Sequence, residues 1–202
     1  QIRLDEVVSS KEDVLKLNIS TGDYISIEPK FLVTESKYIK SRYLDNKAGT
    51  TCDLSVMEAF KRLDVKPNNK VKIIISTYEE VGHGCSSIPA DIDELVGIDM
   101  GCVGLDLACT EREVSICAKD SSGPYDYDIT SRLIELAEKN NIGYAVDIYP
   151  SYGSDVSASL RGGNNIKGAL IGPGVNASHG MERTHIEGIE NTIKLIYSYL
   201  TE

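Results

Sequence analysis

From about residue 43 onward, short apolar runs of strand length alternate with segments whose apolar residues recur at helical spacing. Residues 71–77, 95–98, 114–118, 144–149 and 168–171 read as strands. Residues 51–63, 129–139, 155–160 and 186–200 read as helices, the first with Leu54, Met57, Phe60 and Leu63 along one stripe. A strand followed by a helix must bury one face of each against the other. The alternation therefore predicts an α/β fold of stacked layers around a largely parallel or mixed sheet. Residues 1–41 have a different texture, strand-like and rich in turns. Tyr24-Ile25-Ser26-Ile27 alternates, Phe31-Leu32-Val33-Thr34 is a short apolar run, and Ser20-Thr21-Gly22-Asp23 is a turn. Such a stretch is too short for a stable sheet of its own.

A chain of 202 residues with 41% hydrophobic content has the material for one medium domain, or one domain with a small appendage. The net charge of −10 argues against nucleic-acid partners and against an anionic membrane surface. No apolar stretch reaches the length of a membrane span. Five cysteines, with no Cys-x-x-Cys pair, suit neither a disulfide framework nor a zinc ribbon. They are expected as reduced, buried small side chains of a cytoplasmic protein. The chain opens on Gln1 rather than Met, and Ile2-Arg3-Leu4 reads as the interior of a longer sequence.

Four segments carry the chemistry: Leu44-Asp45-Asn46-Lys47-Ala48-Gly49, Tyr78-Glu79-Glu80-Val81-Gly82, Gly97-Ile98-Asp99-Met100-Gly101 and Glu182-Arg183-Thr184-His185. They supply three carboxylate ligands, an imidazole and a spare glutamate. That is most of a two-metal hydrolase site, in which paired cations polarise a carbonyl and activate a water. Glu79, Glu80 and Asp99 fall at the carboxyl ends of strands, where open α/β sheets gather ligands. Each residue also has a plainer reading. Asp45 could be a turn with a helix cap, the glutamate pair a solvated strand end, and Asp99 an ordinary strand-to-loop junction. In the functional reading Asp45 bridges two cations, Glu80 ligates one and Asp99 the other. Glu79 then takes a proton from the activated water and passes it to the leaving amine. Of the histidines, His185 is preferred as a ligand because the start of a helix gives its ring a fixed direction. His179 is its rival, and His83 suits a supporting or substrate-facing place. Tyr152-Gly153-Ser154-Asp155 and Arg161-Gly162-Gly163 look like pocket loops, with Asp155 alternatively a helix cap. Gly172-Pro173-Gly174 reads as a turn.

Tyr43 to Gly49, Glu79-Glu80-Val81-Gly82, Asp99, and Ser178-His179-Gly180-Met181-Glu182-Arg183-Thr184-His185 together resemble the glutamyl aminopeptidase and tetrahedral aminopeptidase family, some of whose members carry the name endoglucanase. The resemblance covers nearly all of residues 40–202. It implies a three-layer αβα metallo-aminopeptidase-like catalytic domain that removes N-terminal residues from peptides with two divalent ions, zinc or cobalt. It further implies that Asp45 bridges the metals, that Glu80 and His185 complete one site, that Asp99 serves the other, and that Glu79 is the general base. Residues 1–41 become the tail of a smaller β domain and residues 42–202 the larger, C-terminal part of the catalytic domain. The β domain helps build dimers and dodecameric shells in the family, so a homo-oligomer is expected. Two departures stand out: Lys47 replaces the usual Arg, and the family's first metal-binding His, in an upstream His-x-Asp motif, has no counterpart here. The expectation is a C-terminal portion of such an enzyme, short of one ligand and poorly active by itself. A non-catalytic assembly or binding module, or hydrolysis of a non-peptide amide, are the other readings.

Overall fold

A computed structural model describes residues 3–202; residues 1 and 2, and the sequence reading placed on them, lie outside the described residues. The N-terminal part holds a short helix, α1 (Lys11–Lys16), which the strand-like reading of that stretch does not predict. Ser10 caps it by accepting the Asp13 amide, a local bond that suffices for two turns. Strand β1 (Leu32–Val33) falls within the apolar run at 31–34, but residues 24–27 form no strand. Strand β2 (Tyr38–Ser41) leads through Tyr43, in the left-handed region at φ 64°, into α2 (Leu44–Leu63).

The main sheet is built from β3 (Glu94–Ile98), β4 (Gly101–Cys102), β5 (Val114–Asp120), β6 (Gly123–Pro124), β7 (Tyr144–Ile148) and β8 (Lys167–Val175). Strand β8 runs parallel to β3 and antiparallel to β5, and β5 runs parallel to β7. The sheet is therefore mixed. Gly172-Pro173-Gly174 is not a turn but the second half of β8, because it pairs with β5 and β4. The close approach explains the composition. A Cβ on Gly172 would stand 1.4 Å from the Asp99 carbonyl oxygen, so only glycine lets the strands meet there.

Period-2 alternation along β5 and β8 sends side chains to two cores. Val114, Ile116, Ala169 and Ile171 pack with α2, with α3 (Tyr127–Lys139) and with α5 (Ile186–Thr201). Cys117 and Leu170 face the other side, against Val156 of α4 (Asp155–Arg161), with Tyr125 and Tyr149. Helices thus cover both faces, the three-layer α/β architecture read from the sequence. Leu133, Leu136 and Leu195 are fully buried between sheet and helices, each contributing about 1.5–3 kcal/mol. Local chemistry starts the helices: Asp126 accepts the Ile129 amide at 3.0 Å, and Ser154 and Ser157 form a reciprocal capping box. Ser154, not Asp155, is therefore the cap of α4.

A second small sheet has the order β1–β2–β9, with β9 (Glu182–His185) antiparallel to β2. It hydrogen-bonds residues 38–41 to the segment leading into α5. Residues 71–77, read as a strand, join no ladder, and among the described residues their amides and carbonyls make no backbone hydrogen bond. Val71, Ile73, Ile74 and Ile75 stay exposed. They line a cleft of about 1320 Å³ that residues 93–99 also line. Periodicity marks such a segment as apolar, but pairing requires a neighbouring edge within reach. All five cysteines are free and buried, as expected. No helix among the described residues is long and apolar enough to cross a membrane.

Candidate metal centre

Asp45 is placed by an irregular start to α2. Residues 45 and 46 depart from helical geometry, so the chain turns before the regular helix begins. Asn46 fixes that turn: its side-chain amide donates to the Ile98 carbonyl at 2.7 Å, and its Oδ1 accepts the Gly49 amide. The bond to Ile98 brings the start of α2 to the end of β3, where Asp99 follows. The Asp99 amide donates to Ile171 of β8 at 2.9 Å, and its carboxylate accepts the Met100 amide at 2.6 Å.

The glutamate pair lies on a single turn of 3-10 helix, Glu79–Val81, between left-handed Tyr78 (φ 65°) and Gly82 (φ 82°). Asp155 holds this loop from α4. It accepts the Ser76 hydroxyl and the Cys85 amide, the latter at 3.1 Å. The third contributor is the loop between β8 and β9, in which Ala177 and His179 are both left-handed, at φ 60° and 65°.

These loops converge. His179 Nε2 lies 3.3 Å from Oδ2 of Asp45 and 3.1 Å from Oε2 of Glu80. One donor atom from each of Asp45, Glu80 and His179 falls within 4.8 Å of the others. Ser178 adds a hydrogen bond from its hydroxyl to Asp45 Oδ2 at 2.9 Å. Asp45, Glu79, Glu80 and Asp99 all line the large cleft.

The structure does not bring His185 to this group. His185 is the N-cap of α5, as its position predicts, but its ring is buried. Nδ1 accepts the Glu187 amide at 3.0 Å and Nε2 bonds the Ser36 carbonyl at 3.0 Å. Both nitrogens are occupied, and Tyr38 packs edge-on against the ring at 4.9 Å. The direction that made His185 attractive is real, but it points into the small sheet. His83 stacks on Tyr78 at 5.0 Å, outside the three-residue group.

The electrostatics describe a site short of positive charge. Burial, then the neighbouring Glu80, Asp155 and Asp45 carboxylates, push Glu79 up to about 7. Glu80 is raised by burial and by Asp45. Asp99 is raised well above the usual range, first by burial and then by Asp45 and Glu79. Among the described residues, none of Asp45, Glu79, Glu80 or Asp99 pairs with a Lys or Arg. Carboxylates and an imidazole converging without a cationic side chain form a donor set suited to a divalent ion. The sequence reading named Glu182 in one of its four segments but gave it no role; in the structure it accepts backbone amides from two of the converging segments. A carboxylate inside a strand of otherwise polar residues carried no signal of burial.

A family profile described as "M42 glutamyl aminopeptidase" matches residues 1–195. "Putative aminopeptidase YhfE" of Bacillus subtilis (strain 168) is 44% identical over 201 residues, covering 99% of this chain and 58% of that protein. Two solved structures share the fold. The first is described as "Pyrococcus horikoshii TET1 peptidase can assemble into a tetrahedron or a large octahedral shell". It superposes with a TM-score of 0.83 at 24% identity over 98% of this chain and 60% of its own. An aminopeptidase from the archaeon Desulfurococcus kamchatkensis gives 0.84 at 20% identity, over 97% of this chain and 58% of its own. The chain thus spans about three-fifths of the length of these relatives. The profile match runs through all four of the segments singled out in the sequence, and the chain belongs to the M42 glutamyl aminopeptidase family.

Proposed function

We propose that this chain carries the metal-binding and proton-transfer machinery of an aminopeptidase, acting on the N-terminal residues of peptides. The observation that carries this reading is the convergence of Asp45, Glu80 and His179 within 4.8 Å, in a chain of this family. Asp45, Glu80 and His179 would hold one divalent cation, zinc or cobalt by their donor chemistry. Asp45 and Asp99 would serve a second. A cation held there supplies Lewis-acid polarisation of a carbonyl and a lowered pKa for a water. His179 replaces His185 in the ligand set, because the ring of His185 has no free nitrogen.

Glu79 is the general base in this reading. It adjoins Glu80, and it lines the cleft without a cationic partner. Its carboxylate accepts a proton from water and returns it to the nitrogen of the departing peptide. Residues 1–41 are the tail of a smaller β domain and residues 42–202 the C-terminal larger part of the catalytic domain in this reading, and likeness to a TET1 peptidase that assembles into shells supports a homo-oligomer.

The test is Glu79→Gln in an intact enzyme, assayed with aminoacyl anilides and by zinc content. The expected outcome is loss of turnover with metal content unchanged. Loss of metal together with activity would remove Glu79 from the base role. Release of N-terminal residues by this chain alone would defeat the second reading, a binding or assembly module. The single three-donor group among the described residues is what recommends that alternative.

A further inference from the structure

Glu182 is 1% exposed, and among the described residues it has no Lys, Arg or His partner. Its carboxylate is met by backbone amides alone. Oε2 accepts the N–H groups of Leu44 and Asp45, the second at 3.1 Å, and Oε1 accepts the N–H of His179 at 3.1 Å. An unpartnered buried carboxylate is costly, and three aligned donors offset that cost.

The two segments it joins carry Asp45 and His179, and neither is held by regular structure. Tyr43 is left-handed, and Asp45 and Asn46 are non-helical within α2. Ala177 and His179 are left-handed non-glycine residues, each costing about 1–2 kcal/mol relative to ordinary backbone. Such loops have competing conformations of similar energy unless an outside group decides between them. Glu182 sits on β9, whose pairing with β2 fixes its own position at the Ser41 register. Asn46 anchors the first segment to Ile98 and Ser178 bonds the Asp45 side chain, while Glu182, on a paired strand, accepts from both backbones at once and so ties residue 45 to residue 179.

We propose that Glu182 is a positioning residue for the cation site, presetting the separation of the Asp45 and His179 donors by binding both backbones at once. The inference rests on Asp45, Glu80 and His179 being the ligands. A residue that only stabilised the small sheet would lower the melting temperature and leave the metal affinity of the folded chain unchanged. A positioning residue moves the affinity itself.

The experiment is calorimetric titration of the metal-free chain with zinc chloride, well below the melting temperature, for wild type, Glu182→Gln and Asp45→Asn. Gln keeps the shape of the side chain but turns an NH2 group toward amides that need an acceptor. The expected result is an affinity about 10–100-fold weaker in Glu182→Gln, with an unchanged circular dichroism spectrum. Equal affinity in a folded Glu182→Gln chain overturns this proposal alone. No zinc binding by wild type, or none lost in Asp45→Asn, overturns the ligand reading and this proposal with it. Amide hydrogen exchange in the metal-free wild type needs no variant. The Leu44, Asp45 and His179 amides should be protected together, and exchange at open-loop rates would defeat the proposal even if Glu182→Gln failed to fold.

Discussion

Nε2 of His179 stands 3.3 Å from Oδ2 of Asp45, joining a loop between two strands to the irregular first turn of a helix far away in sequence. His185, six residues on, contacts neither. Substitution of the two histidines should therefore separate two roles. His179→Gln is expected to weaken zinc binding more than about 100-fold, beyond what loss of a supporting group does. His185→Gln is expected to leave zinc affinity within about twofold while costing about 1–3 kcal/mol of stability, from the buried hydrogen bonds it disturbs. Calorimetry and thermal melts of both variants check this, and the opposite pattern would restore His185 as the ligand.

Burial and carboxylate crowding push Glu79 from 4.5 up to about 7, and burial lifts Asp53 to about 6. Glu80 and Asp99 move the same way. A raised carboxylate binds its proton more tightly folded than unfolded. Its contribution to stability is thus fully present below the unfolded value and is lost as pH rises through the folded one. In chelator the melting temperature should fall between about pH 5 and pH 8. Zinc at pH 7.5 should raise it again, because the cation binds the folded, ionised site. Scanning fluorimetry across that range, with and without zinc, is the measurement. A flat or rising profile in chelator contradicts the assignment.

Gly172 lies where a Cβ would meet the Asp99 carbonyl oxygen at 1.4 Å; Gly172 is held in β8, and Asp99, just past β3, is tied to β8 by its amide bond to Ile171. Neither can move alone. Gly172→Ala should cost about 1–3 kcal/mol or more by overpacking and should displace the strand end that bears Asp99. Urea titration of the variant reads the first effect. A loss below 0.5 kcal/mol, at the level of an ordinary surface change, would show that the strands have slack there.

Among the described residues, the backbone of residues 71–77 forms no hydrogen bond to other backbone. Its amides should exchange with solvent at least about 1,000-fold faster than that of Ile116, which lies at the centre of the sheet. Exchange followed by NMR checks this. Matching protection would mean that the segment is paired in solution.

The strength of the sequence pattern tracked the number of neighbours that a residue's environment repeats. Residues 114–118 and 129–139 were readable because long apolar runs and amphipathic stripes answer to a single large core, and the observed β5 and α3 extend them by only a few residues. Strand β9 was not readable. Glu-Arg-Thr-His carries no apolar alternation, and it is a strand only because β2 offers an edge to it. The segment at 71–77 shows the converse. It has strand composition and no partner, so composition alone produced no ladder.

The candidate site divides in the same way. The sequence by itself determined which carboxylates could serve, since Asp45, Glu80 and Asp99 follow from short motifs at strand ends and at a helix start. Whether a given imidazole joins them depends on the direction of its ring, and that is a property of backbone far from the motif. Only the tertiary structure separates His179 from His185 by place, the first beside Asp45 and Glu80 and the second buried apart from them. Left-handed backbone turns the first toward Asp45 and Glu80, while the Ser36 carbonyl and the Glu187 amide occupy the second. Glu182 belongs wholly to the folded molecule. Its three donors lie in segments that meet only when the small sheet and α2 pack together, so the motif that contains it could not assign it this role.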